Sequence, residues 1–247
     1  MKIIVNGANG AMGRELCRLA REHYLDSQLA AAVSRSGGEG ICASWDEVTL
    51  PADVIVDFSH HAAMLDMLAY ARKRKIPVVV ATTGFNEKEK AFLRSVSEQI
   101  PIFYSANMSV GVALLCRLAK QAAQAFPDAD LEIVEIHHNR KLDAPSGTAL
   151  MLGDALREVR PDATFVCGRS GSHLRTKQEI GIQSVRMGNI VGIHEVHICT
   201  NTQTITLKHE AHSRSLFAEG ALVAAEFLTH QQSGLYNMQD LLASNAK

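Results

Sequence analysis

The sequence predicts an α/β protein of two domains, a doubly wound parallel sheet followed by a smaller α+β domain with an open mixed sheet. Three observations predict it. Short β-prone runs alternate with helical stretches from Met1 to Ser105. Later in the chain, strand-like runs at residues 180–186, 194–199 and 204–209 follow one another with no helix between them. The 247 residues are enough for two hydrophobic cores.

The first strand, residues 1–5, runs into Asn6-Gly7-Ala8-Asn9-Gly10-Ala11-Met12-Gly13 and then into a helix over residues 14–23, spaced by Leu16, Leu19 and Ala20. In this strand, glycine turn and helix, Gly7 permits the tight turn, Gly10 lets the backbone approach a pyrophosphate, and Gly13 lets the helix pack closely. A second strand at residues 29–33 completes a βαβ unit of Rossmann type. Gly7, Ala8, Asn9, Gly10, Ala11 and Met12 are therefore the expected dinucleotide-binding turn.

An Asp or Glu gripping the adenosine ribose belongs about twenty residues beyond the glycines. Ser34-Arg35-Ser36 stands there instead. A cationic, hydroxyl-bearing group suits a 2′-phosphate that an acid would repel, so NADPH is the expected cofactor, with NADH second. A plain solvated charge is the alternative for Arg35.

Alternation continues with a strand at 54–57, a helix at 62–74, a strand at 78–81, a helix at 87–97 and a strand at 102–105. Ligand is expected at the carboxyl ends of such strands. Polar turns stand there: Phe58-Ser59-His60, Ala81-Thr82-Thr83-Gly84 and Ser105-Ala106-Asn107-Met108. Simple chain reversal is the alternative for any one of them.

A helix at 113–126 leads out of this domain. Residues 131–136 read as a strand in which Leu131 and Ile133 alternate with Glu132 and Glu135, which places His137 and His138 at a mouth rather than in a core. Beyond them, Asp143-Ala144-Pro145-Ser146-Gly147-Thr148 carries turn and N-cap residues ahead of a helix at 149–158. The N–H groups of such a helix start favour an anion, and Lys141 adds a full charge. Strand-like residues 164–167 come next, and the Gly-, Ser-, Arg- and Lys-rich stretch between Gly168 and Glu179 reads as a mobile loop. His194 and His197 lie three apart on a strand and so face opposite ways, and no carboxylate completes a set with them or with His209 and His212. They are expected at a surface or interface, with no metal site. A helix at 215–229 is amphipathic through Leu216, Ala221, Leu222, Ala225 and Leu228.

The 25 basic and 26 acidic residues nearly cancel, so no net field draws nucleic acid or an anionic membrane, and a small molecule is the expected partner. No apolar stretch approaches the ~20 residues that span a bilayer. The five scattered cysteines form no CxxC pair and read as reduced, mostly buried thiols of a cytoplasmic protein.

The segment EIVEIHHNRKLDAPSGTA, residues 132–149, resembles the signature of the 4-hydroxy-tetrahydrodipicolinate (dihydrodipicolinate) reductase family, and the likeness extends from Gly7 to about Leu242. The resemblance implies reduction of (2S,4S)-4-hydroxy-2,3,4,5-tetrahydrodipicolinate by NAD(P)H, on the diaminopimelate route to lysine. It makes His137 and Lys141 the proton-transferring residues. Substrate-carboxylate contacts fall to His138, Lys141, Ser146, Gly147, Thr148 and Arg214, and nicotinamide and ribose contacts to the three polar turns. Family members that carry an acid followed by arginine near position 34 use both cofactors, which this sequence departs from. The resemblance further implies a nucleotide domain of residues 1–107 and 215–247, a substrate domain of residues 108–214, and a homotetramer formed through the second sheet. Two other readings fit parts of the sequence. A different two-domain dehydrogenase of small amino acids explains residues 1–107 equally well but does not require HHNRK followed by PSGT. A non-catalytic nucleotide sensor has no need for His137 and Lys141.

Overall fold

A computed structural model describes residues 1–244. The end of the expected nucleotide domain, residues 245–247, lies outside the described residues. The chain divides into two compact units, Met1–Ser109 joined by the stretch from Ser215 onward, and Val110–Arg214.

In chain order the first unit holds β1 (Lys2–Asn6), α1 (Ala11–Arg21), β2 (Gln28–Val33), β3 (Val54–Asp57), α2 (Met64–Arg74), β4 (Val78–Val80), α3 (Glu87–Ser97) and β5 (Pro101–Tyr104). The second unit holds α4 (Val110–Ala125), β6 (Asp130–His137), α5 (Gly147–Arg157), β7 (Thr164–Cys167), β8 (Glu179–Arg186), β9 (Gly192–Cys199) and β10 (Thr204–Ala211). The chain then returns to the first unit as α6 (Ser215–Thr229), β11 (Gly234–Tyr236) and α7 (Met238–Ser244).

The first sheet is parallel, in the order β11-β5-β4-β3-β1-β2. Its central strands read as unbroken apolar runs because helices cover both faces. Ile3, Ile4, Val5, Val54, Ile55, Val56, Val78, Val79 and Val80 are fully buried. α1 turns Leu16, Cys17, Leu19 and Ala20 inward. α3 starts on a capping box in which Asn86 Oδ1 accepts from Glu89 N–H at 3.0 Å and Glu89 Oε2 accepts from Asn86 N–H at 2.7 Å. The residue pattern does not announce β11. Three residues show too little alternation to announce a strand, and Leu235 gains its place only by pairing with Ile102. Edge-on packing of Phe227 against Phe103 and Tyr236 fastens α6, β5 and β11 together.

The second sheet is mixed, in the order β10-β9-β6-β8-β7, with β6, β8 and β7 parallel and β9 antiparallel to both β6 and β10. One face, carrying Leu131, Ile133, Ile180, Ile182, Val196 and Ile198, packs on α4 and α5 to form the core. Glu135 departs from its expected alternation. It shares the inward face with Leu131 and Ile133 and is fully buried, while Val134 and Ile136 take the other face. The loop after β7 is tied near its two ends, where Arg169 pairs with Glu179 and Arg175 binds Asp130, Glu132 and the Leu131 and Glu179 carbonyls. Of the five free cysteines only Cys17 and Cys116 are buried, and Cys167 is exposed, which corrects the expectation of mostly buried thiols. Among the described residues no helix is long and apolar enough to cross a membrane.

Candidate active site

In the first unit the site is a loop of backbone. Gly7 has φ +82°, and a Cβ there would come within 2.5 Å of Phe58 O. At Gly13 a Cβ would meet Gly7 O at 2.1 Å, so only glycine lets α1 start so close to its own turn. Gly7 and Ala8 N–H donate to Val33 O at 2.9 and 3.0 Å, and Gly10 N–H donates to Gly7 O at 2.9 Å. No side chain caps α1 at Gly10 and no acid stands in its first turn. An N-terminus left in that state, at the end of a parallel sheet, suits an anion, and the Cβ-free cradle fits the pyrophosphate of a dinucleotide.

Asn9 Nδ2 donates to Ser36 Oγ at 2.7 Å and to Gly37 O at 2.9 Å, which ties the cradle to the loop that carries Ser34 and the exposed Arg35. Behind it, the fully buried Asp57 takes hydrogen bonds from Asn6 Nδ2 at 2.8 Å and Ser59 N–H at 3.2 Å. Burial pushes the Asp57 carboxyl upward, against the pull of its hydrogen bonds. The three polar turns fall at the carboxyl ends of β3, β4 and β5, with Phe58 and Ser105 half-buried and Thr83 and Ala106 exposed. Ala8, Ala81, Thr82 and Met108 are buried, and the Thr82 hydroxyl is spent on Ser59 O at 3.1 Å. Sequence reasoning missed a groove of about 550 Å³ that Arg35 shares with Trp45, Tyr70 and Lys73. Trp45 and Tyr70 rings lie 4.8 Å apart, and no spacing in the sequence brings them together.

In the second unit the site is made of side chains. Glu135 and His137 lie two apart on β6 and so point the same way. His137 is buried, not at a mouth as expected, and its Nδ1 is 2.5 Å from Glu135 Oε2. Arg186, paired in register with His137, donates from both terminal nitrogens to the two Glu135 oxygens at 2.7 and 2.9 Å. Burial alone would raise the Glu135 carboxyl. The hydrogen bonds of Arg186, Ser184 and His137 outweigh it and hold the group at about 2.

Past β6 the chain turns through His138 to Lys141, held by His138 N–H to Ile190 O at 2.8 Å and Asn139 N–H to Gly188 O at 3.2 Å. Lys141 Nζ pairs with Asp143 Oδ1 at 2.8 Å, which holds the Asp143 carboxyl below its ordinary range. Arg214 Nη2 reaches His138 Nε2 at 3.4 Å. Partial burial first, then the cations Arg140 and Arg214, with His137 and Lys141 nearby, lower the His138 imidazole. Gly147 is exposed with open space on its Cβ side, at the start of α5.

Ser146 does not face outward as a ligand contact would. It is buried, its N–H donates to Glu135 Oε1 at 3.1 Å, and its hydroxyl accepts from Ala149 N–H while lying 3.0 Å from His194 Nε2. His194 also departs from expectation. The opposite-face argument holds, since His197 turns outward to Glu195 and Thr206, but His194 is a buried residue and not a surface one. Its ring stands edge-on to His137 at 5.1 Å. Burial, followed by the charge of His137, pushes its imidazole down to about 4. Only the pairing of β6 with β9, which sets Glu135 beside His194, reveals this residue.

A glycine cradle at the end of a parallel sheet, together with a separate unit whose clustered cations surround one imidazole and carboxylate pair, defines a pyridine-nucleotide oxidoreductase. Residues 1–108 match the family described as dihydrodipicolinate reductase, N-terminus, and residues 111–242 match dihydrodipicolinate reductase, C-terminus. The chain belongs to the dihydrodipicolinate reductase family. It is 44% identical to the 4-hydroxy-tetrahydrodipicolinate reductase of Caldanaerobacter subterraneus, over 98% of both chains. Against the enzyme of the same name from Alkaliphilus oremlandii it is 42% identical over 98% of each. Among solved structures, dipicolinate-bound dihydrodipicolinate reductase from Paenisporosarcina sp. TG-14 has the same fold, with a TM-score of 0.82 at 23% identity, over 96% of this chain and 97% of that one.

Proposed function

We propose that this chain reduces (2S,4S)-4-hydroxy-2,3,4,5-tetrahydrodipicolinate to (S)-2,3,4,5-tetrahydrodipicolinate with NAD(P)H, in lysine biosynthesis by the diaminopimelate pathway. The observation that carries this reading is the grouping of His137, His138, Lys141, Arg186 and Arg214 around Glu135 and Asp143 in the second unit. Three permanent cations against two carboxylates leave a positive surplus, which together with the N–H groups at the start of α5 suits a small molecule bearing carboxylates.

In this reading His138, Arg214 and the Gly147-Thr148 start of α5 bind carboxylate, and His137 and Lys141 supply or relay the proton that the reduction consumes. Ser146 moves from substrate contact to positioning, because its N–H and hydroxyl are engaged within the unit. Gly7 to Met12 would hold the pyrophosphate, Ser34 and Arg35 the 2′-phosphate, and Phe58, Ala81, Thr82, Thr83 and Ser105 to Met108 the ribose and nicotinamide. Ala8, Ala81 and Met108 would serve through their backbone. Bound there, the reduced nicotinamide supplies a hydride to ring carbon four of the substrate; water leaves, and one proton is taken up. NADPH is the preferred cofactor and NADH the second.

The first unit is thus the nucleotide domain and the second the substrate domain. We further assign to the outer face of the second sheet, with Val134, Ile136 and Val185, the contacts of a homotetramer, and place the enzyme in the cytoplasm. The test couples the purified protein to the synthase that makes the substrate from pyruvate and aspartate semialdehyde, and follows NADPH and NADH oxidation separately. Oxidation of either that depends on the synthase supports the reaction, and oxidation of neither removes it.

A further inference from the structure

Glu135 is not among the site residues that the sequence singled out, yet four nitrogen atoms of three residues converge on it. Its Oε2 faces His137 Nδ1 at 2.5 Å and Arg186 Nη1 at 2.9 Å. Its Oε1 faces Arg186 Nη2 at 2.7 Å and Ser146 N–H at 3.1 Å. A buried carboxylate clamped at both oxygens, with a bidentate arginine, is held ionised and unable to rotate. An ionised carboxylate only accepts hydrogen bonds. The His137 nitrogen beside it must therefore carry hydrogen whether the ring is neutral or cationic.

That leaves Nε2 as the atom through which His137 gains and loses a proton. Among the described residues, no protein group is hydrogen-bonded to it. It passes beside Gly192, where a Cβ would stand 3.0 Å from Nε2 and 3.4 Å from Cδ2. The absent side chain makes room for the ring. On the far side His194 is bound to Ser146 and does not compete for Glu135.

We propose that Glu135 is the positioning residue of this reductase: through Nδ1 it fixes the tautomer and aim of His137, so that Nε2 presents the proton the reduction consumes. The proposal rests on the role given above to His137. In the step it serves, the substrate has lost water to a conjugated imine, hydride forms the new C–H bond at ring carbon four, and the adjacent ring carbon takes the proton from Nε2. The N–H bond breaks, the ring returns to neutral with Nδ1 still bonded to Glu135, and solvent restores the proton. The alternative role for Glu135 is purely structural, as the counter-ion of Arg186.

Glu135→Gln separates the two. The amide keeps the shape but deprives Arg186 of its counter-ion and can face Nδ1 with an N–H in place of an acceptor; a counter-ion role would show as lost folding stability and dicarboxylate affinity, a tautomer role as lost kcat. With the synthase-generated substrate and NADPH, we expect kcat to fall about 100-fold while KM and the affinity for pyridine-2,6-dicarboxylate, measured by calorimetry, change less than about threefold. Glu135→Asp, which keeps the carboxylate, should recover a part of kcat that Glu135→Gln loses. If Glu135→Gln fails to fold by circular dichroism, Gly192→Ala approaches the same ring from its other edge, and the same selective loss of kcat is expected. Wild-type kcat in a folded Glu135→Gln, or an equal fall in kcat and dicarboxylate affinity, overturns the proposal. An inactive wild type would remove the reaction itself, whereas an active wild type with an active Glu135→Gln removes only the role of Glu135.

Discussion

The two units make their polar sites by opposite means. In the first, one run of backbone from Gly7 to Gly13 is folded tightly enough that a single Cβ would strike a carbonyl. In the second, side chains from β6, the loop after it, β8 and β9 meet around one buried carboxylate. A backbone cradle is set by which residues lack a side chain, so it is written locally and fails as a whole. A side-chain cluster is set by strand pairing, so its members are scattered through the sequence and can fail one at a time.

The largest expected effect breaks the cradle. Gly13→Ala drives a methyl group into Gly7 O and Ala8 Cα, both backbone, and should cost about 4 kcal/mol of stability, the scale of severe overpacking. Urea denaturation measures it. A loss below about 1 kcal/mol would show that the turn can yield, and the comparison would lose its first half.

Next is the acid response of the side-chain cluster. His194 is held neutral at about 4 by burial, so the unfolded chain binds its proton more readily and acid favours unfolding. Stability should fall by on the order of 3 kcal/mol as pH drops from about 6.5 to 4, with His138 and His209 shifted in the same sense. Glu135, held at about 2, adds its own loss as pH falls below its ordinary value of 4.5 toward 2. His194→Gln should flatten the upper part of that curve in urea midpoints taken at each pH. An unchanged slope would place the acid sensitivity elsewhere.

Chemistry should then separate from nucleotide binding. Lys141→Ala or His137→Ala should lower turnover by about 100-fold or more while leaving NADPH affinity within about threefold, since the cradle is untouched. Steady-state kinetics beside nucleotide titration reads both. Near-normal turnover in both variants would remove their assignment. The smallest effect sharpens the first unit: Arg35→Ala should weaken NADPH about tenfold more than NADH, and equal losses would refute a 2′-phosphate contact.

Legibility followed the same division. β3, α3, β7 and α6 stand where the residue patterns place them, because a run such as Val54–Asp57 or a capped run such as Glu87–Ser97 carries its own signal. β11 did not, because Gly234–Tyr236 is a strand only beside Pro101–Phe103. Polarity as a mark of the outward side misplaces Glu135, because Arg186, far along the chain, is what allows a carboxylate inward. The expectation of a surface or interface position for His194 followed from excluding a metal, and its burial depends on the pairing of β6 with β9.

By itself the sequence determined the glycine turn, the alternation that forces a parallel sheet, and the dense segment from Glu132 to Ala149, since each depends on neighbours a few residues apart. Tertiary structure alone decided that Arg186, Ser146 and His194 close around Glu135 and His137. Burying a charge is affordable only where its partners arrive together, and strand pairing, not chain proximity, brings them.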